Sequence, residues 1–122
     1  MPHKHFDERL TDLERRLLAM SHKVESLVGD SVAMAMGKGD STIDEIYAAD
    51  DAIDQEEVGI EEGVIELLAL HQPMASDLRL LVTMLKVNTD LERIGDHAVN
   101  IAEAAIRLSE STERPPRPPE LD

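Results

Sequence analysis

The segment "KVNTDLERIGDHAVNIAE" carries oxygen ligands along one side of a helical pattern. Glu92 and Asp96 lie four residues apart, with Asn88 one turn before them and Asn100 one turn after. Side chains four residues apart share a face of an α-helix. Carboxylate and amide oxygens suit hard or borderline cations such as Mg, Mn or Fe. This spacing therefore indicates a candidate metal site.

The segment before it carries a second column of acids at similar spacing. Its members are Asp50, Asp54, Glu57 and Glu61. Acids one turn apart repel each other by a few tenths of a kcal/mol in an exposed helix, and the repulsion grows in a low-dielectric groove. A metal ion would relieve it, and so would Arg93 or Arg79. Acid columns on helices are usually solvated faces, so both interpretations stay open at this point.

Other site chemistries have little support in the sequence. The chain has no Cys, which excludes disulfides, thiolate metal sites and Cys nucleophiles. "GDHA" lacks the strand-to-helix context of a nucleophile or nucleotide motif. A ferritin-like site needs Glu-x-x-His, but Leu68 and Ile94 stand three residues before His71 and His97. We therefore predict that the chain is not an enzyme.

Three helices are predicted to position the acids, at about residues 4–38, 42–70 and 75–109. In each, apolar residues recur at alternating steps of three and four, which is a helical packing pattern. No segment has the alternation of a strand. The predicted fold is all-α, an antiparallel three-helix bundle formed by residues 1–110.

The ends of the helices have recognisable signals. Gly39 suits a left-handed position after the first helix. Thr42 with Glu45 matches a capping box at the start of the second. Pro73 stops the second helix, and Ser76 is a possible cap of the third.

The buried stripe of the third helix is predicted from its large apolar residues. It reads Leu80, Met84, Val87, Leu91, Ile94, Ala98, Ile101, Ala105, Leu108. Because successive residues turn about 100°, Glu92 and Asp96 are predicted to flank this stripe. In the second helix, by contrast, Asp50 and Glu57 occupy seam positions themselves.

The tail and the net charge bear on partners. Residues 111–122, STERPPRPPELD, contain two Pro-Pro pairs, which favour an extended linker or a ligand for a partner. A net charge of −14 disfavours nucleic acid and anionic lipid and favours cations or a basic partner. With no long apolar run and no signal-peptide pattern, we expect a cytoplasmic protein.

Longer stretches of the chain resemble a known family. "LALHQPMASDLRLLVTMLKVNTDLERIGDHAVNIAE", "HFDERLTDLERRLLAM" and "DDAIDQEE" are similar to the PhoU family of phosphate-uptake regulators, across roughly residues 4–108. The family repeat is a three-helix bundle whose E/D-x-x-x-D motif binds metal in some members. The resemblance implies metal ligation by Glu92 and Asp96, with Asp50, Asp54 and Glu57 as co-ligands. The ion would be Mg, Mn, Fe or Zn.

The resemblance also implies a function and partners. PhoU proteins are adaptors that couple a phosphate ABC transporter, through its ATPase subunit, to a sensor histidine kinase, and they restrain uptake and the starvation response when phosphate is plentiful. The resemblance implies that this protein would associate with the membrane only through these partners. The family usually carries two repeats, so one repeat predicts either an N-terminal half or a homodimer. A metal-carboxylate enzyme, and a helical transporter module without its own metal site, are the alternatives.

Overall fold

The computed structural model describes residues 2–112, which form three α-helices joined by two short connections. The helices are α1 (Pro2–Ala35), α2 (Ile43–His71) and α3 (Ala75–Thr112). Each helix packs against both others. The prediction of an all-α three-helix bundle is therefore confirmed, and no strand occurs in residues 2–112.

α3 extends beyond its predicted end at residue 109 and takes in the first two residues of the predicted tail. The rest of that tail, residues 113–122, lies outside the described residues. Within the described range, no helix combines the length and apolar character that crossing a bilayer requires.

The connection between α1 and α2 begins earlier than predicted. The Gly37 N–H donates to the Met34 carbonyl at 3.1 Å, and the Lys38 N–H donates to the Ala33 carbonyl at 2.7 Å. This pair of hydrogen bonds closes the helix around Gly37, whose φ of 73° is in the left-handed region. The prediction that Gly39 closes the helix is wrong; Gly39 also has a left-handed φ, 83°, but lies further along the connection.

The start of α2 is capped as predicted. The Glu45 N–H donates to Thr42 Oγ1 at 3.2 Å, and the Thr42 N–H donates to Glu45 Oε1 at 2.8 Å. α2 ends at a left-handed Gln72 just before Pro73. The predicted Ser76 cap is wrong, because α3 already begins at Ala75.

The core faces of α1 and α2 follow the three- and four-residue spacing that predicted these helices. On α2, every apolar stripe residue after Ile43 is buried: Ile46, Ile53, Ile60, Val64, Leu67. On α1, the buried residues are Phe6, Leu10, Leu13, Met20, Val24, Leu27 and Ser31. Large side chains at regular spacing therefore identified both faces correctly.

The buried stripe of α3 differs from the prediction. Its members are Leu81, Met84, Asn88, Gly95, Ala98, Ala102 and Ala105. Four predicted stripe residues are exposed instead: Val87, Ile94, Ile101 and Leu108. Small residues fill much of the true stripe, so the larger aliphatic residues beside it produced the stronger apolar signal. Glu92 lies four residues after the buried Asn88 and three before the buried Gly95. It is therefore half-buried, next to the true stripe.

Candidate metal-binding groove

The acids of α2 are held against α3 by the apolar residues between them. Ile46, Ile53 and Ile60 repeat at seven-residue intervals and are fully buried. Asp50 and Glu57 fall midway between consecutive members of this series, so they face the interior side of α2. Both are half-buried. The local sequence therefore directs these carboxylates into the groove between α2 and α3.

Gly95 of α3 lies beside Asp50 of α2. A Cβ placed on Gly95 would lie 3.4 Å from Asp50 Oδ1 and 3.8 Å from Ile53 Cγ2, which are ordinary contact distances. An alanine side chain would therefore fit here but would lie against the Asp50 oxygen. Asp96 follows directly and projects about 100° further round the helix.

Asn88 joins the same two helices two turns before Asp96. Its Nδ2 donates to the Glu57 carbonyl at 2.9 Å, and the residue is only 1% exposed. A buried hydrogen bond between helices fixes their relative position, because leaving either group unpaired would cost about 1–3 kcal/mol. Asn88 thereby sets the register of the α3 acids against those of α2.

Three carboxylates converge in this groove. One oxygen from each of Asp50, Asp54 and Asp96 lies within 4.8 Å of the other two. Oxygen ligands bind Mg²⁺ or Ca²⁺ at about 2.0–2.6 Å, so two ligands of one ion can be about 4–5 Å apart. The spacing therefore fits a shared cation. Asp50 and Asp54 are half-buried, whereas Asp96 is exposed, which leaves the group open to solvent on one side.

The acids raise one another's pKa values. Burial raises the pKa of Asp50 to about 6, and the charges of Asp54, Asp96 and Asp51 add to the shift. A hydrogen bond with Asp96 raises the pKa of Glu92 to about 7, with further contributions from burial and from the charges of Asp96, Asp54 and Glu57. Each shift reflects a negative charge that the surroundings do not compensate.

The two remaining acids of α2 respond in the same direction. Burial raises the pKa of Asp54, and the charges of Asp96 and Asp51 contribute. Burial also raises the pKa of Glu57, followed by the charges of Glu61, Asp54 and Asp96. All five acids predicted as ligands thus belong to one electrostatic cluster, which we call the acidic groove: Asp50, Asp54, Glu57, Glu92, Asp96.

Among residues 5–111, whose side chains the structure describes, no Lys or Arg forms an ion pair with a member of the acidic groove. Arg93, one of the two predicted neutralising residues, pairs with Asp90 at 3.9 Å instead. Arg16 pairs with Glu56 at 3.8 Å. The cationic side chains therefore leave the charge of the groove unneutralised.

Two oxygen atoms in the acidic groove have no hydrogen-bond partner within the described part of the chain. They are Asp50 Oδ1 and Asp54 Oδ1, and both atoms are buried. Buried oxygens normally have a partner. Together with the all-oxygen ligand set, these two atoms fit a hard cation.

The structure thus brings together Asp50, Asp54 and Asp96 and sets Glu57 and Glu92 beside them. Their role as ligands stays a prediction. Sequence reasoning missed the contributions of Asn88 and Gly95 to this geometry. The signal was present, because Leu81, Asn88, Gly95 and Ala102 repeat every seven residues, but an amide and a glycine score poorly as core residues.

Comparison with known proteins assigns the chain that carries this groove to a family. The model of the PhoU domain matches residues 17–105, a range that contains every member of the acidic groove. The chain belongs to the PhoU family. This confirms the resemblance stated from the sequence.

Three relatives of this PhoU chain carry the name "Phosphate-specific transport system accessory protein PhoU homolog". The one from Pseudomonas aeruginosa is 41% identical over 110 residues, covering 90% of the chain and 46% of the relative. The Clostridium acetobutylicum relative is 40% identical, with 89% and 50% covered. The Aquifex aeolicus relative is 38% identical, with 84% and 47% covered. The chain spans about half the length of these relatives.

Proposed function

We propose that this PhoU chain is a non-catalytic adaptor that regulates phosphate uptake and binds a metal ion in its acidic groove. Relatives named as accessory proteins of phosphate-specific transport systems support the regulatory part. In this proposal the chain contacts the ATPase subunit of a phosphate ABC transporter and a sensor histidine kinase. It acts on the cytoplasmic side of the membrane, where both partners have soluble regions.

The single observation that carries the metal proposal is the convergence of three carboxylate oxygens within 4.8 Å. Asp50, Asp54 and Asp96 would hold the ion, and Glu57 and Glu92 would complete its surroundings. Mg or Mn suits this oxygen set best, ahead of Fe or Zn. The ion would supply positive charge to a groove that lacks its own.

The acids themselves would act by changing the docking surface. In the metal-free chain they repel one another and any acidic partner that approaches α2 and α3. A bound ion would remove that repulsion. The exposed sides of α2 and α3 would then form a docking surface with a much lower negative charge. The regulatory role is then binding and release of partners, with no chemical step on the chain.

A second candidate is a helical module of a phosphate transporter that regulates without a metal site of its own. The exposure of Asp96 favours it, because a solvated carboxylate needs no cation. The two candidates differ in whether partner binding depends on the acidic groove.

A titration separates them. The chain is titrated by calorimetry against the cytoplasmic sensor region of the kinase and against the ATPase subunit, with and without Mg²⁺ or Mn²⁺. The test variant is Asp54→Asn/Asp96→Asn, and the matched control is Asp12→Asn/Asp30→Asn. The control removes the same charge from exposed positions on α1.

Metal-dependent binding that is lost in the test variant and kept in the control supports the metal-dependent adaptor. Binding that depends neither on the metal nor on the two substitutions supports the helical module. If the chain binds neither partner, the titration is repeated with the full-length relative from Pseudomonas aeruginosa, of which the chain covers 46%. Absence of binding there as well contradicts the adaptor proposal.

A further inference from the structure

Two histidines lie side by side where the start of α1 packs against the end of α2. The ring centroids of His5 and His71 are 5.7 Å apart, and the two ring planes are inclined by 45°. His5 is exposed and His71 is half-buried. The two imidazoles therefore form a close pair that solvent can reach on one side.

The packing around His71 holds its ring in place. Phe6 is only 5% exposed, and it meets the His71 ring in an edge-on arrangement with centroids 5.5 Å apart. About one turn further along α1, Arg9 forms an ion pair with Glu66 of α2. These contacts hold α1 against α2 at this end of the bundle and keep His5 beside His71.

The nitrogen atoms of the two rings have no protein partner in the described part of the chain. Among residues 5–111, no hydrogen bond or ion pair involves the side chain of His5 or His71. His22, by contrast, pairs through Nδ1 with Glu25 at 3.7 Å. The packing between the two rings therefore does not engage the nitrogens that could bind a ligand.

The separation of the two rings fits a shared transition-metal ion. A ring nitrogen binds Zn²⁺ at about 2.0–2.1 Å, so the ion lies roughly 3.2 Å from the centroid of each ligating ring. Two rings that bind one ion at a tetrahedral angle then have centroids roughly 5.2 Å apart. The observed separation of 5.7 Å is close to this value. A small rotation of the exposed His5 side chain would close the difference.

The position of the pair also favours a cation. His71 is the last residue of α2, and the carboxyl end of a helix carries a partial negative charge. The net charge of −14 further attracts cations to the chain. Imidazole nitrogens suit Zn²⁺, Cu²⁺ and Ni²⁺, whereas carboxylate oxygens suit Mg²⁺ and Mn²⁺. The histidine pair and the acidic groove therefore favour different ions.

We propose that His5 and His71 bind one Zn²⁺ ion, with water completing its coordination, and that the ion ties the start of α1 to the end of α2. The site lies about 21 Å along α2 from Glu57, at 1.5 Å per residue. It is therefore separate from the acidic groove, and its existence does not depend on metal binding there. An ion that binds only the folded chain stabilises the bundle at this end.

A Zn²⁺ titration of the full chain, followed by the NMR signals of the histidine side chains, tests this site. Excess Mg²⁺ is present throughout to occupy the acidic groove, because imidazole is a poor ligand for that ion. We expect the His5 and His71 signals to shift together, with one common midpoint. The His22 signal should stay unchanged over the same range of Zn²⁺ concentration.

Reciprocal variants distinguish a shared ion from two independent histidines. The His5 signal in His71→Ala, and the His71 signal in His5→Ala, should need about 100-fold more Zn²⁺ to shift, because each variant removes one ligand. His22→Ala is the matched control and should leave the midpoint unchanged. Far-ultraviolet circular dichroism checks that each variant keeps its helices.

Three results would overturn the proposal. The first is a chain whose His5 and His71 signals do not shift even at millimolar Zn²⁺. The second is a His5 signal with the same midpoint in the unmodified chain and in His71→Ala. The third is loss of the shift in His3→Ala but not in His71→Ala, which would place the ion on the start of the chain alone.

Discussion

The two grooves that flank α3 have opposite chemistry, although they are built on adjacent residues of one helix. On the α1 side, Ile94 belongs to an exposed stripe with Val87, Ile101 and Leu108, which we call the apolar face. Gly95 is buried, and Asp96 belongs to the acidic groove towards α2. Each of these residues lies about 100° from the next. A step of two positions along α3, from Ile94 to Asp96, therefore leads from an exposed apolar surface to one that concentrates negative charge.

Both grooves are unfavourable in the isolated chain, for different reasons. The acidic groove holds carboxylates whose pKa values are raised by burial and by one another. The apolar face exposes aliphatic area to water. A cation would relieve the first and a second apolar surface would relieve the second. The two surfaces lie on opposite sides of α3, so a change to one need not alter the other.

The prediction with the largest expected effect concerns a variant that removes charge from the acidic groove and leaves the apolar face unchanged. We expect Asp54→Asn/Asp96→Asn to lower Mn²⁺ affinity at least about 100-fold, because it removes two of the three converging carboxylates. The metal-free variant should be more stable than the unmodified chain, since repulsion has been removed. Calorimetric titration and thermal unfolding measure the two effects.

The Asp12→Asn/Asp30→Asn variant provides the matched control for that experiment. It should bind Mn²⁺ as strongly as the unmodified chain, because it removes the same charge from exposed positions on α1 and leaves the acidic groove intact. Unchanged Mn²⁺ affinity in the test variant would remove the acidic groove from metal binding. An equal loss of affinity in the control would show that the net charge of the chain, and not the groove, sets the affinity.

The next test weakens the link between α2 and α3. Asn88→Ala removes the hydrogen bond to the Glu57 carbonyl and leaves a small void in the core. We expect a loss of about 1–3 kcal/mol in the free energy of unfolding and weaker Mn²⁺ binding. Urea unfolding in the absence of metal measures the stability, and calorimetric titration measures the Mn²⁺ affinity. A loss much below this range would mean that Asn88 does not hold the two helices in register.

The faces of α1 and α2 could be predicted from sequence, whereas that of α3 could not. On α1 and α2 most of the large apolar side chains at regular three- and four-residue spacing are buried, although others such as Leu18 and Ile65 are exposed, so hydropathy and packing largely agree. On α3 they disagree, because Gly95, Ala98 and Ala102 are buried while Ile94 and Ile101 are exposed. A hydropathy pattern detects where apolar side-chain area is concentrated. On α3 that area is divided between the core and an exposed surface, so the pattern alone could not locate the core.

The acidic groove could be predicted in composition but not in arrangement. Spacing placed the five acids in two columns, together with Glu61, and the family resemblance then selected the five as candidate ligands. It could not show that Asp96 meets Asp50 and Asp54 while Arg93 turns to Asp90. Those facts depend on the rotation of α3 in the bundle, which the prediction had wrong.

The pH dependence of the free energy of unfolding tests the repulsion among the acids of the acidic groove. The pKa values of Asp50 and Glu92 are about 6 and about 7 in the folded chain, against ordinary values of 3.8 and 4.5. The folded chain therefore holds these protons more tightly than the unfolded chain, and metal-free stability must fall as pH rises from about 4 to about 7. We expect a loss of about 1 kcal/mol, since solvent screens both partly exposed groups.

Urea unfolding in the presence of a chelator measures this slope. Asp50→Asn/Glu92→Gln should flatten it, because neither replacement titrates. Saturating Mn²⁺ should reverse it, because the ion binds the deprotonated carboxylates. A chelated chain whose stability rises over this interval would contradict the raised pKa values.

The smallest predicted effect comes from the glycine that separates the two grooves. Gly95→Ala gains helix propensity of about 1 kcal/mol, and its new methyl would lie 3.4 Å from Asp50 Oδ1, an ordinary contact. We therefore expect slightly higher stability but Mn²⁺ affinity a few-fold lower, because the methyl covers an oxygen that the ion must reach. Gly29→Ala on α1 is the matched control, since a Cβ there meets nothing within 4 Å. If both variants gain stability and only Gly95→Ala loses affinity, the glycine is present for access to the acidic groove. If their affinities are the same, it serves helix packing alone.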